Sequence, residues 1–289
     1  MMRVVVTGAS GYIGSRLVPA LEFVGAEVVA LSRSLESDHF RCLLTDRVDD
    51  LRSHMEGADH VIHMAGRLVD DPTAGVIDYY DANVRFTDKV LTAAKDAGVS
   101  SFVHASTRLV YPATLTAPAI EDRDVAPDTP YGISKRWAED LVKYFTTEHG
   151  ISSASLRIGQ VTGGDHVGLG VINSFIRQAR DNGVIRVHGA GAAVRELVHV
   201  EDVVSAIVAT LERRDGWTPI NVGGTHPISI LGIAESIAAA SSSEVNIEHI
   251  SVESEDSSYY ALDHSRALKT LSWCPEWTPQ AIIAAANAS

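Results

Sequence analysis

Short runs of β-branched and other apolar residues alternate with amphipathic stretches through the first half of the chain. The runs Val4–Thr7, Glu27–Arg33, Arg41–Thr45, His60–Ala65, Phe102–Ser106 and Ala154–Ile158 predict strands. Between them, Ile13–Val24, Val48–Glu56, Tyr79–Ala97 and Tyr131–His149 space their apolar residues as helices do. Continuously apolar strands separated by helices predict a parallel sheet covered on both faces. Right-handed crossovers make a doubly wound α/β fold the economical arrangement. Ligands in such folds bind beyond the carboxyl ends of the strands, here at Gly8, Arg33, Ala65 and Thr107.

The second half is less regular. Gly163-Gly164-Asp165-His166-Val167-Gly168-Leu169-Gly170 reads as a flexible crossing between two parts of the chain. Helical spacing returns at Val171–Asp181 and Val200–Arg213, and the residues after 223 read as a small, mostly helical cap. The expected division is one domain over 1–163 with about 196–223, and a smaller cap over about 164–195 and 224–289.

The turn Thr7-Gly8-Ala9-Ser10-Gly11-Tyr12-Ile13-Gly14 follows an apolar strand and opens a helix, the setting that a phosphate-binding turn requires. Gly8 suits the sharp turn, Gly11 the approach of a pyrophosphate, and Gly14 the packing of helix on strand. The pyrophosphate would meet the free N–H groups at Tyr12-Ile13; tight packing alone is the competing reading. The second strand ends in Ser32-Arg33, where an enzyme reading the ribose of NAD usually places a carboxylate. A guanidinium suits a 2′-phosphate instead, so NADP(H) is preferred over NAD(H).

Thr129-Pro130 predicts a helix start, with Thr129 as N-cap. Tyr131 and Lys135, four residues apart, then share one helical face. A phenol of pKa ~10 is a poor base at neutral pH. An ammonium about 4 Å away favours the phenolate by roughly 4 kcal/mol at an effective dielectric of ~20. Tyr131 is thereby poised to exchange a proton with an alcohol or ketone, and Thr107, at the end of the fifth strand, can hydrogen-bond the same oxygen.

Composition narrows the partners. A net charge of −13 and a pI of about 5.3 repel nucleic acid and anionic membranes. Cys42 and Cys274 form neither a disulfide framework nor a metal site. The opening Met1-Met2-Arg3-Val4-Val5-Val6 lacks a leader pattern, and the expected location is cytoplasmic. His63, His104 and His199 lack metal spacing and read as satisfied strand histidines, with no metal expected. Asp202 reads as the cap of the helix after Val200.

These pieces together resemble the extended short-chain dehydrogenases/reductases of the NAD-dependent epimerase/dehydratase group over essentially the whole length. The resemblance is carried by the glycine turn, Val61-Ile62-His63-Met64-Ala65, Asn83, and His104-Ala105-Ser106-Thr107-Arg108-Leu109-Val110-Tyr111. It continues through Tyr131-Gly132-Ile133-Ser134-Lys135, Leu156-Arg157, Arg195-Glu196-Leu197-Val198-His199-Val200-Glu201-Asp202 and Asn221-Val222-Gly223. It implies a Rossmann domain with a smaller cap, catalysis by Thr107, Tyr131 and Lys135, and a cofactor site at Gly8, Ser10, Gly11, Tyr12, Ile13, Gly14, Arg33, Leu44, Met64, Ala65, Gly66, Asn83, Lys135 and Ile158. It also implies a nucleotide-activated sugar held by Arg195, Gln160 and Thr107, with Arg195 on the diphosphate. Homodimers paired through a four-helix interface are common in the group and would use Tyr79–Ala97 and Tyr131–His149.

The chain departs from the group in places that matter. The Asp-Glu pair of the dehydratases is Arg108-Leu109, which argues against sugar dehydration. The acidic residue usually near adenine after strand three is Leu43. The Asn before the group's Tyr-Gly-Pro turn is Gln160, followed by Val161-Thr162-Gly163. A second diphosphate arginine gives way to Glu253-Ser254-Glu255-Asp256. The leading expectation is reduction of a ketone, a 4-keto nucleotide sugar before a smaller carbonyl compound. A nucleotide-sugar 4-epimerase with NAD is the alternative, and a cofactor-sensing protein without catalysis a further one, against which the intact trio argues.

Overall fold

Val4 and Val6 pack against one layer of helices while Val5, between them, packs against the opposite layer, the alternation that a pleated strand imposes. All three are fully buried, so this strand is central and covered on both sides. The computed structural model describes residues 1–33, 42–43, 45–69, 73–163, 170–213 and 216–288. In chain order the elements begin β1 (Arg3–Thr7), α1 (Gly14–Phe23), β2 (Glu27–Ser32), β3 (Cys42–Leu43), α2 (Val48–Met55), β4 (His60–His63) and α3 (Val76–Tyr79). A π-helical turn, Tyr80–Arg85, joins α3 to α4 (Phe86–Asp96), followed by β5 (Ser101–Thr107), α5 (Pro130–His149), β6 (Ser152–Ile158) and β7 (Gln160–Thr162). The remainder is α6 (Val171–Asn182), β8 (Val184–His188), β9 (Val194–His199), α7 (Val200–Ala209), β10 (Trp217–Val222), β11 (Pro227–Ser229), α8 (Ile230–Ala240), β12 (Asn246–Ile250), α9 (Ser265–Leu271) and α10 (Pro279–Ala288).

Seven parallel strands form one sheet in the order β10-β6-β5-β4-β1-β2-β3. Leu17, Leu21, Val203, Ile207 and Trp273 cover one face; Leu51, Met55, Val90, Leu91 and Val142 cover the other. The doubly wound α/β fold is therefore as expected. β10 is a seventh strand beyond the six predicted, because Pro219 interrupts its pattern. A proline is tolerated there since β10 is the sheet's edge. Leu44 and residues 164–169 of the expected crossing lie outside the described residues.

A third core underlies the C-terminal part, built from Phe175, Ile176, Ile185, Leu197, Ile233 and Ile282. This part is less purely helical than expected: β8 pairs in parallel with β12 beneath α6 and α8, and β7, β9 and β11 form a small sheet. Asp202 does not cap α7. His199 does, its ring Nδ1 accepting the Glu201 N–H at 3.3 Å. Asp202 instead accepts the N–H groups of Glu276 and Trp277 at 3.0 and 3.1 Å, fastening the C-terminal segment to α7. Among the described residues no helix is long and apolar enough to cross a membrane.

Candidate active site

The strand ends converge where the doubly wound topology requires. Thr7 is in register with Leu31 and His63, His63 with His104, and Thr107 with Ile158. At the glycine turn, Gly8 has φ +75°, and a Cβ there would lie 2.7 Å from Ala65 N. A Cβ on Gly14 would collide with the Gly8 carbonyl, and one on Gly11 would stand 3.2 Å from it. The turn therefore presents bare backbone to the crevice, a cradle that side chains would fill, and fits a dinucleotide pyrophosphate. Ser32 donates to Ser10 Oγ at 2.5 Å, tying β2 to the turn, and Arg33 stands exposed just beyond. The Tyr12 hydroxyl donates to Gly163 O, and burial pushes its pKa up to about 12.

Met64, Ala65 and Gly66 follow β4, with Met64 N–H on Thr7 O at 3.1 Å and Ala65 N–H on Thr7 Oγ1 at 3.3 Å. Asn83, inside the π turn, accepts Arg67 N–H at 2.7 Å and donates to Ser134 Oγ at 3.0 Å. It thus ties the post-β4 loop to α5. A Cβ on Gly66 would fall 2.6 Å from Asn83 Oδ1 and 3.6 Å from Lys135 Nζ, so these three sites share one small space.

Thr129 caps α5 as predicted, its Oγ1 accepting Gly132 N–H at 3.0 Å, with Pro130 in the first turn. Gly132 is required because a Cβ there would collide with Leu109 O; its absence lets the first turn of α5 press against the chain just after β5. Tyr131 and Lys135 are brought up to the end of β5 in this way, both buried, at 8% and 6% exposed. Tyr131 packs edge-on against Tyr79, ring centres 6.0 Å apart. Lys135 Nζ donates to Ala105 O at 2.8 Å. Burial lowers its pKa to about 8, with Glu139 opposing. Thr107 Oγ1 accepts Leu109 N–H at 3.3 Å, which leaves its own proton to donate.

The histidines behave differently from one another. Thr87 donates its hydroxyl proton to Asn83 O at 2.7 Å, so His63 Nε2 donates to Thr87 at 3.0 Å and Nδ1 accepts from Thr7 at 2.7 Å. Burial, then Lys135, pushes His63 down to about 3. His104 departs from the expectation of a satisfied residue: it is buried, stacked 6.1 Å from His63, and neither ring nitrogen has a hydrogen-bond partner among the described residues. Burial holds it well below the usual imidazole range. His199 stacks on Trp277 at 3.8 Å. Among the described residues no cluster suits a metal ion.

Gln160 and Arg195 line a cavity of about 650 Å³ together with Phe175, His188, Gly191 and Asp256. Arg195 donates to Ser258 Oγ at 2.9 Å and Asp256 Oδ2 at 3.2 Å. Hydrogen bonds from Ser258, then Arg195, hold the Asp256 carboxyl below its usual range. Glu255 accepts Ala190 N–H at 3.1 Å. The acidic stretch thus turns onto the glycine segment and the arginine expected to take a diphosphate. Three features escaped the sequence reading: Tyr260, whose ring lies beneath both Arg108 and Arg195; the steric demand at Gly132; and the buried partnership of Glu139 with Arg157. The last two sit inside motifs already noted, Tyr131-Gly132 and Leu156-Arg157.

Comparison with known proteins bears on the family and the fold. Residues 4–223 match the NAD dependent epimerase/dehydratase family. The chain is 32% identical to dTDP-4-dehydro-6-deoxy-D-allose reductase of Streptomyces bikiniensis, over 82% of this chain and 80% of that protein. It is 28% identical to UDP-glucose 4-epimerase of Azospirillum brasilense, over 95% and 87%. Its fold superposes on MoeE5 in complex with UDP-glucuronic acid and NAD with a TM-score of 0.84 and 27% identity, covering 98% of this chain and 97% of that one.

Proposed function

Because the chain belongs to the NAD-dependent epimerase/dehydratase family, and is an enzyme of the extended short-chain dehydrogenase type, we propose that it carries out oxidation or reduction at C4 of a nucleotide-activated sugar. The observation that carries this reading is the placement of buried Tyr131 and Lys135 against the end of β5, beside Thr107 and the Gly66 loop. NAD(P), when bound, supplies or accepts the hydride. The Gly8–Gly14 turn, Ser10, Arg33, Met64, Ala65, Gly66, Asn83, Lys135 and Ile158 would hold it. Tyr131 passes a proton between its phenol and the sugar O4, and the Thr107 hydroxyl donates to the same oxygen. Lys135, one helical turn on, favours the phenolate by its charge. Residues 1–163 and about 196–223 form the cofactor domain. The parts at about 164–195 and 224–289 take the nucleotide, with Gln160 and Arg195 at the cavity between.

Two modes share this machinery. Reduction of a 4-keto nucleotide sugar with NADPH is supported by exposed Arg33 at the end of β2. Epimerisation at C4 with retained NAD is supported by the superposition on MoeE5, which was solved with NAD. Dehydration is disfavoured by Arg108-Leu109. Ile77, Tyr80, Trp137 and Tyr144 are exposed on the π-turn helix and α5, an apolar face suited to pairing two copies. Purified protein should either oxidise NADPH with 4-keto nucleotide sugars or interconvert C4 epimers without added cofactor. Neither activity across UDP and dTDP sugars would overturn the reading.

A further inference from the structure

Arg108 follows Thr107 directly, yet the proton chemistry makes no use of it. Its guanidinium lies over the Tyr260 ring, 4.1 Å from Cζ to the ring centre. Nη1 is buried and has no hydrogen-bond partner among the described residues. Arg195, 5.1 Å from the same ring centre, has Ser258 and Asp256; Arg108 forms no ion pair among the described residues. The Glu196 carboxyl acts on it, but burial raises that group to about 8, so at neutral pH it is largely uncharged. Burial lowers Arg108 to about 10, and it stays a cation.

A half-buried guanidinium whose Nη1 is shut away from water with no hydrogen-bond partner among the described residues is costly, and packing alone would be served better by an apolar side chain of similar volume. An incoming anion repays that cost. Arg108 shares the Tyr260 ring with Arg195 but does not line the nucleotide cavity where Arg195 stands; it is the residue after Thr107, next in the chain to the hydroxyl assigned to the sugar O4. We propose that Arg108 is a specificity-determining residue whose guanidinium receives a carboxylate carried by the sugar of the substrate, as in a nucleotide-linked uronic acid.

This inference rests on the nucleotide-sugar reading of the site. It also bears on the mode of action. A ketone at C4 of a uronate is a β-keto acid, which when free loses CO₂, the electron pair of the broken bond passing into an enolate. A site that forms and consumes the ketone without release suits such a substrate, and an ion pair on the carboxylate keeps the charge from leaving it.

The test is calorimetric titration of the full chain, in the presence of NAD, with UDP-glucuronate and UDP-glucose, and with UDP and dTDP as sugar-free probes. The wild type is expected to bind UDP-glucuronate at least about tenfold more tightly than UDP-glucose. Arg108→Gln should lose about 10- to 100-fold on UDP-glucuronate, the scale of a charge-assisted contact, and stay within about threefold on the other probes. Arg108→Lys should recover part of the loss. Without ligand, Arg108→Gln should melt no lower than wild type, because it removes an uncompensated charge. Equal affinity of the wild type for both sugars overturns the inference alone. So does an equal loss on UDP in Arg108→Gln, which would move the residue to the diphosphate, or a lowered melting temperature with all probes weakened, which would make it structural. If no probe binds the wild type, the nucleotide-sugar reading fails and this inference with it.

Discussion

Glu139 takes both arms of the Arg157 guanidinium, at 3.0 Å to Nε and 2.8 Å to Nη2, where neither side chain reaches water. The same carboxylate accepts Ser106 Oγ–H at 2.6 Å, and Arg157 Nη1 donates to Tyr111 Oη at 2.9 Å. Tyr111 in turn donates to Asn221 Oδ1 at 2.8 Å. One carboxylate therefore binds the residue before Thr107 and lies one turn beyond Lys135, so the pair sets α5 against β5 and β6. Arg157→Met should strand Glu139 and cost about 3–5 kcal/mol, read as a lowered midpoint in chemical denaturation. The double variant Glu139→Leu/Arg157→Met should recover much of that loss, and an unchanged midpoint in the single variant would contradict the role assigned to the pair.

Tyr131→Phe keeps the ring that packs on Tyr79 and removes only the hydroxyl. Cofactor affinity should stay within a few-fold while turnover falls by roughly two to four orders of magnitude. Steady-state kinetics with a dinucleotide titration measures both, and near-normal turnover in the folded variant would remove Tyr131 from the proton step.

Glu196 is nearly fully buried, and its pKa rises from 4.5 to about 8 through burial. Between those values the folded chain holds a proton that the unfolded chain has released. Its contribution to stability is thus fully present below about 4.5 and lost as pH climbs through 8. Glu196→Gln abolishes this titration, so its stability relative to wild type should rise by about 4 kcal/mol between pH 5 and pH 8.5, or by about 8–16 °C in melting temperature at about 2–4 °C for each kcal/mol. A constant difference across that interval would show that Glu196 titrates normally.

Asp256 is an exposed carboxylate on Arg195, and exposed pairs contribute ~1 kcal/mol or less. Asp256→Asn should therefore tighten UDP binding by up to about fivefold. Arg195→Ala should weaken it by roughly tenfold or more, through loss of a charge-assisted contact. If calorimetry finds UDP indifferent to both changes, the cavity does not hold a diphosphate.

Arg33→Asp should move preference from NADPH towards NADH, since the new carboxylate accepts a ribose hydroxyl and repels a 2′-phosphate, by about 2–4 kcal/mol. Fluorescence titration with both cofactors is the check. Tighter NADH binding by the wild type would show that Arg33 does not select the phosphate.

The sheet was legible from sequence because buried parallel strands are apolar on both faces, and Val4-Val5-Val6 or Val61-Ile62 admit few other readings. The glycine turn and the Thr129 cap were legible because their chemistry is local. What escaped depends on contacts between distant segments. β8 (Val184–His188) and β12 (Asn246–Ile250) carry Arg186, His188, Glu248 and His249 among their apolar residues, so neither shows the continuous apolar run that marks β1. Nothing near Glu139 marks it as buried, because its partner Arg157 lies on another element. His199 and not Asp202 caps α7 because the helix starts at Val200, which puts Asp202 inside its first turn, where the carboxylate is engaged by the backbone of 276 and 277.

The π turn at Tyr80–Arg85 gives the helix one residue more than regular winding would hold between its ends. Each residue of an α-helix turns the chain by about 100°. Deleting any residue between Tyr79 and Asn83 would let the winding become regular, but only by swinging one of those two side chains a quarter-turn away. Either Tyr79 leaves the Tyr131 ring, or Asn83 leaves Arg67 and Ser134. The length of this helix is thus fixed to the single residue, and a gap in this stretch of any related sequence should travel with a change at position 79 or 83.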